Sequence, residues 1–141
     1  AGNSGAVMLE TLLLLLSGRP DGTNRDLSQG EKRWLDIVSV MKDNIGEMLS
    51  VPELAARCNM GVSSFKKAMH SVSDVGAAKF FLGMKLRRVM EMLDSGSTLK
   101  EAAFSVGFTD MNYFSTVFRR ETGMTAREYM RLGREEYEER M

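Results

Sequence analysis

Eleven side chains stand at spacings that would put them on the outer faces of two short helices. One set is Ser63, Ser64, Lys66, Lys67 and His70; the other is Met111, Asn112, Ser115, Thr116, Arg119 and Arg120. Hydroxyl, amide, ammonium and guanidinium groups in such sets suit hydrogen bonding to base edges and phosphates, and a Met or Thr methyl suits contact with a thymine methyl. Little else in the chain could do chemistry. There is one cysteine, Cys58, and one histidine, His70, on separate predicted helices. That supplies no disulfide, no Cys/His zinc set and no visible nucleophile–base pair, and no Gly-rich phosphate loop is present. The expectation is a non-enzyme with no catalytic residue, no cofactor and no metal. Cys58, on an apolar helix before a turn, reads as core.

Positioning those side chains falls to helix, turn and helix. Residues 98–106 read as a short helix, Gly107 as a tight turn, and 111–121 as a second helix ending in Arg119 and Arg120, with Gly123 as its stop. This is the layout of a helix-turn-helix, in which the second helix enters the DNA major groove. A weaker copy lies upstream. Leu54–Met60 aligns with Ala102–Phe108 at an offset of 48, and past the turn Phe65, Ala68 and Met69 align with Phe114, Val117 and Phe118 at an offset of 49. A small residue recurs at each predicted helix crossing (Ala55, Ala103), and a turn former recurs between the helices (Asn59, Gly107). Helix crossing needs the small residue, and the turn needs positive φ, which Gly and Asn tolerate.

The remaining pattern predicts an all-α protein. Only two prolines and few β-branched runs occur. Ser28 caps a helix over 29–47, Ser50 one over 51–58, and Thr125 a final helix, each with Glu three residues on as a capping box; Thr98 and Glu101 repeat the device. The first helix carries an apolar stripe of Trp34, Ile37, Val38, Met41, Ile45 and Met48. Ser63 opens a helix to about Val72. A long helix over 76–94 is apolar on several sides, through Leu82, Leu86, Val89 and Leu93 with Phe80, Phe81, Met84 and Met92, and so must be packed on several sides. It reads as a strut between two subdomains. Phe65, Phe104, Phe108, Phe114 and Phe118 are expected in the core. The division that follows is 1–27 as a Leu-rich linker helix and loop, 28–75 as the first helix-turn-helix subdomain, 76–95 as the central helix, 96–134 as the second subdomain and 135–141 as an acidic tail, a frayed or solvated extension of the final helix.

Leu12–Leu16 is far shorter than the ~20 apolar residues that span a bilayer, and no basic segment precedes it, so neither a membrane span nor a signal peptide is expected. A helix over 5–17 built on it wants a partner surface. With the absent initiator Met and the Gly2-Asn3-Ser4-Gly5 start, it points to a fragment whose missing N-terminal domain, or residues 7–16 themselves, would form a homodimer. The single cysteine fits a cytoplasmic setting. Total charge is zero, but residues 61–134 carry a net +5, between −2 for residues 1–60 and −3 for residues 135–141. A basic middle between acidic ends fits phosphate contact on one surface. The rival reading is a helical protein–protein interaction module without DNA binding, which the neutral total and the Leu run favour mildly and the duplicated motif opposes.

Over 29–133 the sequence resembles the DNA-binding domain of the AraC/XylS family of bacterial transcription regulators. The residues that carry the resemblance are Ala103, Gly107-Phe108, Asp110, Tyr113-Phe114, Phe118-Arg119, Gly123, Thr125 and Tyr129. It implies two helix-turn-helix subdomains on a central helix, their recognition helices in successive major-groove segments on one face of double-stranded DNA. It also implies a preceding sensor or dimerisation domain, and RNA polymerase as a second partner. The base-reading residues would then be Ser63, Ser64, Lys67, Met111, Asn112, Ser115 and Thr116, and the phosphate contacts Lys66, His70, Arg119 and Arg120. The chain departs from the family pattern at Ser73-Asp74 and Gly76-Ala77, at Met111 and Thr116, and at Lys85, where Arg is usual; base preference cannot be carried over from relatives.

Overall fold

The computed structural model describes residues 28–140, and the N-terminal segment with its Leu run lies outside them. Seven helices follow in order: α1 Gln29–Asp43, α2 Val51–Arg57, α3 Val62–His70, α4 Ala77–Asp94, α5 Leu99–Ser105, α6 Met111–Thr122 and α7 Ala126–Arg140. Among the described residues there is no strand. The capping boxes form where the sequence places them. Glu31, Glu53, Glu101 and Glu128 each take the amide of their cap residue, and each cap hydroxyl takes the Glu amide in return, at 3.0–3.3 Å. Each box satisfies two N–H groups that a helix start leaves open.

Two expected boundaries move. The helix expected over 29–47 stops at Asp43: Asn44 leaves helical backbone (φ −112°, ψ 23°), its side chain donates to Val40 O at 2.7 Å, and the next amide, Ile45 N, reaches only back to Lys42 O. Met48 is consequently 46% exposed and Ile45 only half-buried, so neither completes the buried stripe of Trp34, Ile37, Val38 and Met41. The third helix opens at Val62 on a Gly61 cap and not at Ser63, which puts Ser63 and Ser64 inside its first turn. At the other end the backbone stays helical to Arg140, with one break at Gly133 (φ 84°, ψ 171°).

The helices enclose two cores that share α4. The first gathers Trp34, Ile37, Val38, Met41, Leu54, Ala55, Phe65 and Met69 around Ala77, Phe80, Phe81 and Met84 of α4. The second gathers Ala102, Ala103, Val106, Phe108, Phe114, Val117, Phe118 and Tyr129 around Leu86, Val89 and Met90. The N-terminal half of the strut thus serves one unit and the C-terminal half the other. The rings of Phe108, Phe114, Phe118 and Tyr129 stack in sequence with centroids 5.1–6.2 Å apart, and the Tyr129 hydroxyl donates to Asp94 Oδ1 at 3.0 Å, tying α7 to the end of the strut. In the first core Trp34 lies edge-on to Phe80 at 5.7 Å.

Phe104 corrects an expectation: it is 46% exposed, with the Lys100 ammonium 5.5 Å from its ring, and is not core. Its counterpart at the offset of 48 is Ala56, which is also exposed, so the position faces outward in both units.

Candidate nucleic-acid interface

The repeat holds down to single hydrogen bonds. In the first turn Met60 N donates to Ala55 O at 2.9 Å and Asn59 N to Ala56 O at 3.0 Å; in the second Phe108 N donates to Ala103 O and Gly107 N to Phe104 O, both at 3.1 Å. The residues between adopt positive φ, 56° at Asn59 and 98° at Gly107. Each pair of helices crosses on a buried alanine, Ala55 or Ala103, and each second helix buries an equivalent aromatic, Phe65 or Phe114. The same turn therefore presents the opposite face of α3 and of α6 to solvent.

On α3 those outward residues are the expected ones. Ser63, Ser64, Lys66, Lys67 and His70 are all exposed, and the helix start has no side-chain cap. On α6, Asn112, Ser115, Thr116, Arg119 and Arg120 are exposed, while Met111 is half-buried against the second core. The two helix starts differ electrically. Asp110 Oδ1 accepts from Asn112 N at 2.8 Å and Tyr113 N at 3.2 Å, so a carboxylate already occupies the positive end of α6, and the open end of α3 is the better anion acceptor. Thr116 Oγ1 donates to Asn112 O at 3.0 Å, and Arg120 Nε pairs with Glu121 Oε2 at 3.0 Å. An exposed pair of that kind is weak and can open toward a phosphate. Tyr113 was not among the expected contacts, yet it is 55% exposed on the same helix beside Asn112, with its ring tilted against Phe108 at 6.0 Å.

Cys58 is half-buried against the first core, and burial pushes its thiol pKa up. A raised thiol pKa is the opposite of what a nucleophile needs. Among the described residues no group of His, Cys, Asp or Glu could hold a metal ion, and no helix is long and apolar enough to cross a membrane.

A family model described as "Helix-turn-helix domain" matches residues 54–132, more than half of the chain. The chain belongs to the AraC-type helix-turn-helix family, whose members are DNA-binding transcription regulators. The transcriptional activator RhaS of Escherichia fergusonii is 28% identical over 74% of this chain and 38% of its own length. RhaS of Klebsiella pneumoniae is 23% identical over 94% of this chain and 47% of its length. The transcriptional activator RhaR of Yersinia pseudotuberculosis is 27% identical over 78% of this chain and 35% of its length. The chain spans less than half the length of these curated relatives. Among solved structures, an AraC-type DNA-binding-domain regulator from Chromobacterium violaceum superposes with a TM-score of 0.63 at 22% identity, covering 70% of this chain and 89% of that one. The C-terminal domain of AraT, a response regulator from Geobacillus stearothermophilus, gives 0.65 at 19%, covering 77% and 89%. These likenesses establish the AraC-type fold, and with the family match they do not favour a helical interaction module without DNA binding.

Proposed function

We propose that this AraC-type chain binds double-stranded DNA sequence-specifically, with α3 and α6 in successive major-groove segments on one face of the duplex, and so regulates transcription. The observation that supports it best is the hydrogen-bond-level repeat of the turn before α3 and α6, combined with polar and basic side chains on both exposed faces. Ser63, Ser64, Lys67, Met111, Asn112, Ser115 and Thr116 would read base edges. Asn112 can pair bidentately with adenine, and the methyl groups of Met111 and Thr116 can meet thymine. Lys66, His70, Arg119 and Arg120 would hold phosphates and set the register. The division into units at 28–75 and 96–134 on a strut at 76–95 belongs to the same proposal.

The relatives' names, transcriptional activators, support RNA polymerase as a second partner and the cytoplasm of a bacterium as the setting. The Leu12–Leu16 run supports a homodimer formed through the segment that precedes α1. Selection from a pool of random duplexes, followed by titration of the winners at two salt concentrations, tests the central proposal. Enrichment of a two-part motif, bound more weakly as salt rises, is the expected result. A pool that stays random, with no binding even at low salt, overturns it.

A further inference from the structure

A buried charge lies where the two units meet. Lys85 leaves the middle of α4 and is 1% exposed. Its Nζ donates to Ile45 O at 2.5 Å, Glu47 O at 2.6 Å and Val106 O at 2.7 Å, and lies 4.4 Å from the centre of the Phe81 ring. An ammonium has three donors and no acceptor, so its capacity is fully used. Two of the acceptors sit in the 44–49 loop of the first unit, and the third sits in the turn of the second.

The loop and the turn also touch directly. A Cβ on Gly107 would stand 2.9 Å from Gly46 O, and one on Gly46 would stand 3.2 Å from Ser105 O. Ile45 packs against both cores. The loop itself is braced from α2: Arg57 takes both oxygens of the Glu47 carboxylate at 2.9 Å and Asn44 Oδ1 at 2.5 Å. The loop runs directly into α2, and the turn runs directly into α6. A displacement at this contact is therefore a displacement of one helix pair against the other.

Stability alone gives no reason for an ammonium here. Desolvating a charge costs several kcal/mol, and well-packed apolar replacements of buried charges are often neutral or stabilising. What an apolar side chain cannot do is hold three carbonyls from two units on one point.

We propose that Lys85 is the positioning residue that fixes the register between α3 and α6, so that a DNA site is read as one composite of fixed spacing and not as two independent halves. This rests on the DNA-binding reading above for its consequence, though not for its geometry. Without the clamp the units are held by α4, by Ile45 and by the approach of Gly46 to Gly107 alone, so the second half-site contact forms at a lower effective concentration.

Two measurements test it. In the first, duplexes selected by the wild-type chain are compared with versions carrying one base pair more or fewer between the halves. Lys85→Met, which keeps the stem and removes the ammonium, should cut the discrimination between correct and altered spacing about tenfold, because the effective concentration of the second contact falls. Lys85→Arg should restore it. The second needs no DNA. Spin labels on Ser64→Cys and Ser115→Cys, in a Cys58→Ser background, should give a narrow distance distribution that widens in Lys85→Met and narrows again in Lys85→Arg. Should Lys85→Met fail to fold, Arg57→Ala frees the loop through an exposed pair and should widen the distribution as well. Unchanged distributions in the folded variants, or undiminished spacing discrimination in Lys85→Met, overturn the inference. A wild-type chain that selects no DNA yet shows the Lys85-dependent narrowing sinks the DNA reading and leaves the clamp standing.

Discussion

Lys67 and Arg119 are both exposed on their helices but are expected to fail differently. Lys67→Ala should cost about 1–3 kcal/mol at the selected site and relax base preference there. Arg119→Ala should weaken all duplexes nearly alike and lower the salt slope by about one phosphate. Gel-shift titrations of each variant on selected and scrambled duplexes, at several salt concentrations, separate the two patterns. Phe108 and Phe104 make a second contrast. Phe108 is buried in the ring stack, so Phe108→Ala should lose about 3–5 kcal/mol of unfolding free energy. Phe104→Ala should change it by about 1 kcal/mol or less, since its half-exposed ring has chiefly the Lys100 cation–π contact to lose; urea midpoints decide both. The two phenylalanines look alike as apolar letters, and hydrophobicity alone places both inside. The repeat carried the information that separates them, because Ala56, the partner of Phe104, needs no burial.

Among the elements, the turns and the helix starts are the parts most legible from sequence, because their chemistry is local. Asn59 and Gly107 had to supply positive φ, and the four Ser/Thr-x-x-Glu pairs had to close as boxes; both follow from neighbours within a few positions. What the sequence does not carry is the approach of Gly46 to Gly107, since 61 positions separate the pair. Gly107→Ala meets two penalties, the left-handed backbone and a Cβ set against Gly46 O at 2.9 Å. Its loss should exceed the ~1 kcal/mol expected for Asn59→Ala, where only the backbone term applies. Thermal melts of the two variants give the order. Hydrogen bonds from Ser50, Thr98 and Thr125 hold the carboxyls of Glu53, Glu101 and Glu128 below their ordinary pKa. A depressed folded pKa means that this support is present above the ordinary carboxylate range and is lost as pH falls through the lowered values. Replacing all three by Gln should remove that part of the acid dependence, read as a flatter plot of urea midpoint against pH.

At the scale of the molecule, one buried ammonium should leave a signature on the alkaline side. Burial is the larger influence and pushes Lys85 down to about 8, against the pull of the Glu47 carboxylate, which is itself paired with Arg57. In the unfolded chain a lysine titrates near ~10.4. Between those values the unfolded chain binds the extra proton, so unfolding free energy should rise with pH there, by at most about 3 kcal/mol. Lys85→Met should abolish that rise in urea titrations from pH 7 to 10.5. In the sequence Lys85 stood out only as a departure from the usual Arg, and its role was hidden because all three of its acceptors are main-chain atoms, which any residue type supplies.

The only tryptophan, Trp34, lies against Phe80 in the first core, whereas Tyr129 closes the ring stack of the second. Indole fluorescence therefore watches one half of the protein melt, and second-derivative tyrosine absorbance watches the other. Coincident curves would mark a single cooperative transition. The gap that opens between their midpoints in Lys85→Met would then read out, optically and without any bound duplex, how strongly the halves depend on each other.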